Sequence, residues 1–156
     1  MQKGKKLKLK YNGYTVVMQE VPNEISLAIN ISGCPYKCKG CHSMYLWEYK
    51  GEYLIEDIET LINKYKGLIT CVCFMGGDQN EDDLLYCINK AKEYNLKTCL
   101  YTGCDDINLL SNRVLSNLDY IKYGRYIEEK GGLNCKSTNQ KMIDLNSNKE
   151  IKFYKD

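Results

Sequence analysis

A chain of 156 residues is about one domain long, able to bury one core of ordinary size but short of the ~250 residues of a full eight-fold βα barrel. Its 22 basic and 20 acidic residues leave a formal charge of +2, too even a balance to make nucleic acid or an anionic membrane the main partner. No stretch approaches the ~18 consecutive apolar residues of a membrane span, and the Lys-rich opening is followed by no apolar signal core, so a cytoplasmic protein is expected.

Residues 1–13 read as a basic N-terminal extension, with residues 3–10 as a solvated edge strand or frayed terminus. Residues 14–21 and 25–31 are rich in β-branched and apolar side chains and are parted by Pro22-Asn23, which predicts two strands and a turn. The second strand leads directly into Ser32-Gly33-Cys34-Pro35-Tyr36-Lys37-Cys38-Lys39-Gly40-Cys41-His42. Residues 55–66 place Ile55, Ile58, Leu61, Ile62 and Tyr65 at helical spacing, closed by Gly67. Residues 68–75 are nearly all apolar and end at Gly76-Gly77-Asp78, as suits a strand buried on both faces of a parallel sheet.

The alternation continues with a helix over 82–94, a strand over 96–101 ending at Thr102-Gly103, a weaker helix over 107–118, and a strand over 120–127. Residues 142–145 and 151–154 flank Asn146-Ser147-Asn148-Lys149 as a small hairpin within a C-terminal segment, 141–156. Strands separated by such helices imply right-handed βαβ units, and the fold class expected is α/β: an incomplete βα barrel with a mostly parallel sheet, in one domain spanning 1–156. Ligands of such sheets sit at the carboxyl ends of the strands. The cysteine loop, Gly76-Gly77-Asp78 and Thr102-Gly103-Cys104 should therefore gather on one rim.

Nine cysteines, an odd number, cannot all be paired, and in a reducing compartment free thiols plus a metal site are expected. Cys71, Cys73, Cys87 and Cys99 sit in apolar or periodic segments and are assigned to the core, whereas Cys104 and Cys135 stand in loop-like contexts. Cys34, Cys38 and Cys41 share a window too short for an element of its own, so their sulfurs converge only if the backbone loops around one object. Cys38-Lys39-Gly40-Cys41-His42 matches the haem-attachment pattern, but that chemistry needs export and leaves Cys34 without a role. Zinc would need His42 or a distant cysteine as fourth ligand, and a redox dithiol needs two cysteines, not three. An iron–sulfur cluster held by three thiolates keeps one iron open for a ligand. The Gly-Gly-Asp turn offers what an amino-acid-like ligand requires: glycines that let the backbone approach and a carboxylate for an ammonium group.

Cys34-x3-Cys38-x2-Cys41 followed by Gly76-Gly77-Asp78 resembles the radical S-adenosylmethionine enzymes. The likeness narrows to the activating proteins of anaerobic (class III) ribonucleoside-triphosphate reductases through Ser32-Gly33-Cys34, Lys39-Gly40-Cys41, Trp47, Tyr101-Thr102-Gly103, Tyr123-Gly124-Arg125-Tyr126 and Ser137-Thr138-Asn139-Gln140. The resemblance implies that Cys34, Cys38 and Cys41 ligate a [4Fe–4S] cluster whose fourth iron binds the amino and carboxylate groups of S-adenosyl-L-methionine. Gly76, Gly77 and Asp78 would hold the methionine amino group, with Gly40, Cys41 and His42 against the adenosine. One electron, from a flavodoxin- or ferredoxin-type donor, would cleave the sulfonium bond to methionine and a 5′-deoxyadenosyl radical, which would take a hydrogen atom from a glycine of the partner anaerobic ribonucleotide reductase. The cofactor carries the chemistry, and no catalytic acid or base is expected.

Four positions depart from the family pattern: Gly40 where an aromatic is common, Gln79 in place of proline, Tyr123 in place of an acid, and Cys104 in place of an aromatic. His42, the one histidine, is the candidate substitute for the missing aromatic. Trp47 is expected to cap the core, as aromatics after a loop usually do.

Overall fold

The computed structural model describes residues 7–38 and 44–153. Its elements are β1 (Lys10–Val17), β2 (Ser26–Ile31), β3 (Glu52–Tyr53), α1 (Leu54–Lys64), β4 (Cys71–Met75), α2 (Glu81–Glu93), β5 (Lys97–Tyr101), α3 (Asn112–Leu115), β6 (Tyr120–Tyr123), β7 (Lys141–Asp144) and β8 (Lys149–Ile151). Short 3-10 turns cover Met44–Trp47 and Ile107–Leu109. Among the described residues the strands form one sheet in the order β3-β1-β2-β4-β5-β6-β7-β8.

The sheet is mixed and does not close. Pairings β2–β4, β4–β5 and β5–β6 are parallel, as the strand–helix alternation requires. The flanking pairings β1–β3, β1–β2, β6–β7 and β7–β8 are antiparallel. The expectation of a mostly parallel sheet is corrected on this point: parallel pairing stops where the connection carries no helix, as between β1 and β2, between β6 and β7 and within the β7–β8 hairpin.

Period-two alternation sorts each central strand onto two cores. Val72 and Phe74 of β4 and Leu100 of β5 pack with Leu54, Ile58 and Ile62 of α1 and Leu84, Ile88 and Ala91 of α2. Each fully buried side chain of this size is worth roughly 1.5–3 kcal/mol, so this layer dominates the stability. The opposite face presents Cys71 and Cys73 of β4 and Cys99 of β5, which pack with Val21 and Met142. Cys73 and Cys99 are direct partners in the parallel register. All four cysteines assigned to the core, Cys87 included, are fully buried.

The termini of elements differ from expectation for local reasons. β1 begins at Lys10, not at residue 14, because Leu9 and Tyr11 are core residues: Leu9 is buried, and the Tyr11 hydroxyl donates to Asp57 Oδ2 at 2.7 Å. The reading of residues 3–10 as solvated fails at Leu9, whose N–H donates to Asp83 Oδ2 at 3.0 Å; residues 1–6 lie outside the described residues. The outer neighbour of β1 is the two-residue β3. The helix expected over 107–118 is broken at Leu110 and Ser111, both extended, since the side chains of Asp106 and Ser111 accept from Asn108 and Val114 N–H groups and start two short turns. β6 stops at Tyr123 because Gly124 adopts φ +105° and donates its N–H to the Cys104 carbonyl at 2.7 Å. No helix among the described residues is long and apolar enough to cross a membrane.

Candidate functional site

At the end of β2 the chain leaves the sheet at Ser32 and returns at Lys50. Ser32 is buried, and its hydroxyl donates to the Lys50 carbonyl at 2.6 Å while accepting the Lys50 N–H at 3.0 Å. A second constraint sits next to it. Gly51 holds φ +115°, and a Cβ there would lie 1.9 Å from the Tyr11 carbonyl oxygen, so the returning strand can pass β1 only as glycine. Within the loop the Cys34 N–H donates to the Leu46 carbonyl at 2.9 Å. Cys34 and Cys38 are free thiols, half-buried. Between them Pro35 and Lys37 are exposed while Tyr36 turns inward, and Lys37 takes φ +47° to carry the chain round.

The second part of the rim follows β4. Gly76 and Gly77 adopt φ +102° and +113°, the left-handed region that glycine enters without a Cβ clash. Gly77 lies behind the rim, packed under Ile31, Leu84 and Leu9, so its part is to turn the chain. The turn places Asp78 against the cysteine loop: the Tyr36 hydroxyl donates to Asp78 Oδ2 at 2.5 Å, while Asp78 Oδ1 is buried and has no hydrogen-bond partner among the described residues. Burial first, and the neighbouring carboxylate second, push the Tyr36 phenol far above its ordinary value, so Tyr36 stays a hydroxyl donor. Gln79, at the position where the resembled family has proline, accepts the Gly77 N–H at 3.1 Å and donates to the Ser32 carbonyl at 3.2 Å. It thereby ties the Gly-Gly-Asp turn to the neck of the cysteine loop.

The ends of all four central strands meet around one cavity of about 250 Å³. Its walls are Cys34, Tyr36 and Cys38 from the loop, Met75, Gly76 and Asp78 after β4, Tyr101, Thr102 and Gly103 after β5, and Lys122, Gly124 and Tyr126 from β6 onward, with Gln140 closing the side. The two late sequence signatures form a single wall. Gln140 Nε2 donates to the Gly124 carbonyl at 3.2 Å and Asn139 Nδ2 to the Arg125 carbonyl at 3.1 Å. A further cleft of about 410 Å³ shares Tyr101, Lys122, Tyr126 and Gln140 and extends over the loop from Gly131 to Cys135.

The structure thus brings Cys34, Cys38, Gly76 and Asp78 together as read from the sequence. Gly40, Cys41 and His42 lie outside the described residues. Among the described residues no three Cys, His, Asp or Glu side chains converge as a metal site, and the loop contributes two of its three candidate thiolates to that set. Trp47 is half-buried, and its buried Nε1 has no partner among the described residues. Of the undecided cysteines, Cys104 is buried with its thiol donating to the Asp106 carbonyl at 3.1 Å, and Cys135 is half-buried.

A family model described as the 4Fe-4S single cluster domain matches residues 24–151. The chain belongs to this family. Nothing among curated proteins or solved structures matches it. The residues present fit the cluster that the family name specifies: thiolates are the ligands such clusters take, and here two half-buried thiols line a cavity that also exposes apolar Ile31, Leu46 and Met75. In this 4Fe-4S single cluster domain, Tyr36, Gln79, Thr102 and Lys122 are site residues to which the sequence reading gave no role. Thr102 left a signal as part of the turn expected on the rim and Gln79 as a departure from the resembled pattern, whereas Tyr36 and Lys122 left none.

Proposed function

We propose that this 4Fe-4S domain is a radical S-adenosylmethionine activase that installs a glycyl radical in an anaerobic ribonucleotide reductase. On this reading Cys34, Cys38 and Cys41 ligate the cluster, the open sheet serves as an incomplete βα barrel, and S-adenosylmethionine occupies the rim cavity. The observation that carries it is the buried Asp78 Oδ1, without a partner among the described residues, in the cavity that the cysteine loop lines. A buried carboxylate oxygen without a donor is costly, and an ammonium group is the donor that satisfies it best.

A cluster held by Cys34, Cys38 and Cys41 would supply the electron for reductive cleavage of the sulfonium, the chemistry from which hydrogen abstraction at a partner glycine would follow. The chain itself orients and encloses. Asp78 accepts the ligand's ammonium, the Gly76 backbone approaches closely, and Ile31, Leu46 and Met75 keep water from the reacting atoms. The adjoining cleft leaves one side open, as suits a protein substrate that completes the wall itself.

Anaerobic reconstitution with iron and sulfide tests this. The expected result is a broad visible charge-transfer band, reductive cleavage to methionine and 5′-deoxyadenosine by a flavodoxin- or ferredoxin-type donor, and a glycine-centred radical signal when the reductase is added. Absence of cleavage with a loaded cluster would overturn the activase reading. Cleavage without a signal on the reductase, but with one on another glycyl-radical enzyme, would reassign the partner.

A further inference from the structure

One hydrogen bond ties the cysteine loop to the turn after β4: the Tyr36 hydroxyl donates to Asp78 Oδ2 at 2.5 Å. This bond occupies one carboxyl oxygen of Asp78 and leaves the other, Oδ1, buried and without a partner among the described residues. The neighbouring turn after β5 is held by the Cys104 N–H, which donates to Thr102 Oγ1 at 3.0 Å.

Tyr36 is held for this task from both sides. Its ring lies flush on Gly103, where a Cβ would stand 2.8 Å from Cγ and Cδ2 of the ring. Gly103 does not need glycine for its backbone, since its φ lies outside the left-handed region. The missing side chain there makes room for the tyrosine. Tyr36 also stands between Cys34 and Cys38, so the ring joins the cysteine loop, the turn after β4 and the turn after β5 in one contact.

We infer that Tyr36 is a positioning residue that fixes the rotamer of Asp78, so that Oδ1 meets the ammonium of an α-amino-acid ligand bound beside the cysteine loop. This rests on the reading that the cavity takes such a ligand. A hydrogen bond to a charged group is worth a factor of about ten or more in affinity, and a carboxylate freed to rotate loses that much of its grip on the ammonium.

The test uses the anaerobically reconstituted protein and two stable probes, titrated calorimetrically. S-adenosylhomocysteine carries the amino-acid group, and 5′-methylthioadenosine lacks it. Tyr36→Phe keeps the ring on Gly103 and removes only the hydroxyl. It should weaken S-adenosylhomocysteine about tenfold, leave 5′-methylthioadenosine within about twofold and leave the visible cluster band unchanged. Gly103→Ala, which displaces the ring while keeping the hydroxyl, should act in the same sense. In an Asp78→Asn background Tyr36→Phe should add nothing further. Equal weakening of both probes, loss of the cluster band, or unchanged binding of S-adenosylhomocysteine by Tyr36→Phe would each overturn the positioning role. If the unmutated protein itself fails to prefer S-adenosylhomocysteine over 5′-methylthioadenosine, the amino-acid reading of the cavity falls, and the inference falls with it.

Discussion

Two groups of cysteines in this chain have the same side chain and opposite surroundings. Cys34 and Cys38 stand half-buried on a loop at the strand ends and line a cavity. Cys71, Cys73 and Cys99 are fully buried on the flat of the sheet, with Val21 and Met142 against them. Burial pushes the Cys71 and Cys99 thiols far up from their ordinary value, which keeps them protonated and inert. On the proposed reading a cysteine becomes a ligand through its place in the fold: the loop lets sulfur reach an outside object, and the strand allows it only neighbours of its own core.

That contrast can be broken by exchange of roles. Cys38→Ala should abolish the visible cluster band and the cleavage of S-adenosylmethionine, yet shift the urea midpoint of the cluster-free protein by no more than about 0.5 kcal/mol equivalent, as a partly exposed site would. A variant that kept full cleavage would remove Cys38 from the ligand set. Cys73→Ala should do the reverse, costing about 1 kcal/mol of stability in urea from lost burial and a small cavity, with cluster content unchanged. Loss of cluster on Cys73→Ala would erase the distinction between the two groups.

The smallest effect concerns Cys87, on the helix side of the sheet. Burial and the nearby Asp83 push its thiol up from 9.0 to about 12. Below pH 9 the thiol is protonated in both folded and unfolded chains, so its burial in neutral form contributes in full. As pH rises from 9 toward 12 the unfolded chain ionises first, and this share of stability is lost. Urea midpoints of the wild type should therefore fall over this range more steeply than those of Cys87→Ala. Equal slopes would show that Cys87 ionises as freely as an exposed thiol.

The same contrast explains what could be read in advance. The central strands were legible because both faces are buried, so residues 68–75 form one apolar run whether or not the cores are known. Cys71, Cys73 and Cys99 were legible for the same reason, and Cys87 through the helical periodicity of residues 82–94. The reach of β1 was not: Leu9 lies among lysines, and its burial depends on Asp83 and on Leu54, whose N–H donates to the Leu9 carbonyl at 2.9 Å, both distant in sequence. At the site, Gly76 and Asp78 could be placed because a strand end fixes its own loop. Tyr36 could not, since its role is set by Gly103 and Asp78, which the sheet brings to it from two other strands. Gln79 was visible as a departure from a pattern, but its bonds to Gly77 and Ser32 exist only once β2 and β4 are paired.

The neck formed by Ser32 and Lys50 has a consequence for how a cluster and this fold depend on one another. These residues are 18 apart, and bringing the ends of such a segment together costs about 2.5 kcal/mol of chain entropy on a (3/2)RT ln n scale. The reciprocal serine bonds and the glycine passage at Gly51 offset that cost with contacts of the protein itself. The anchorage of the loop and the sulfurs it presents are therefore separate parts of the chain, and no cysteine takes part in the join at Ser32 and Lys50.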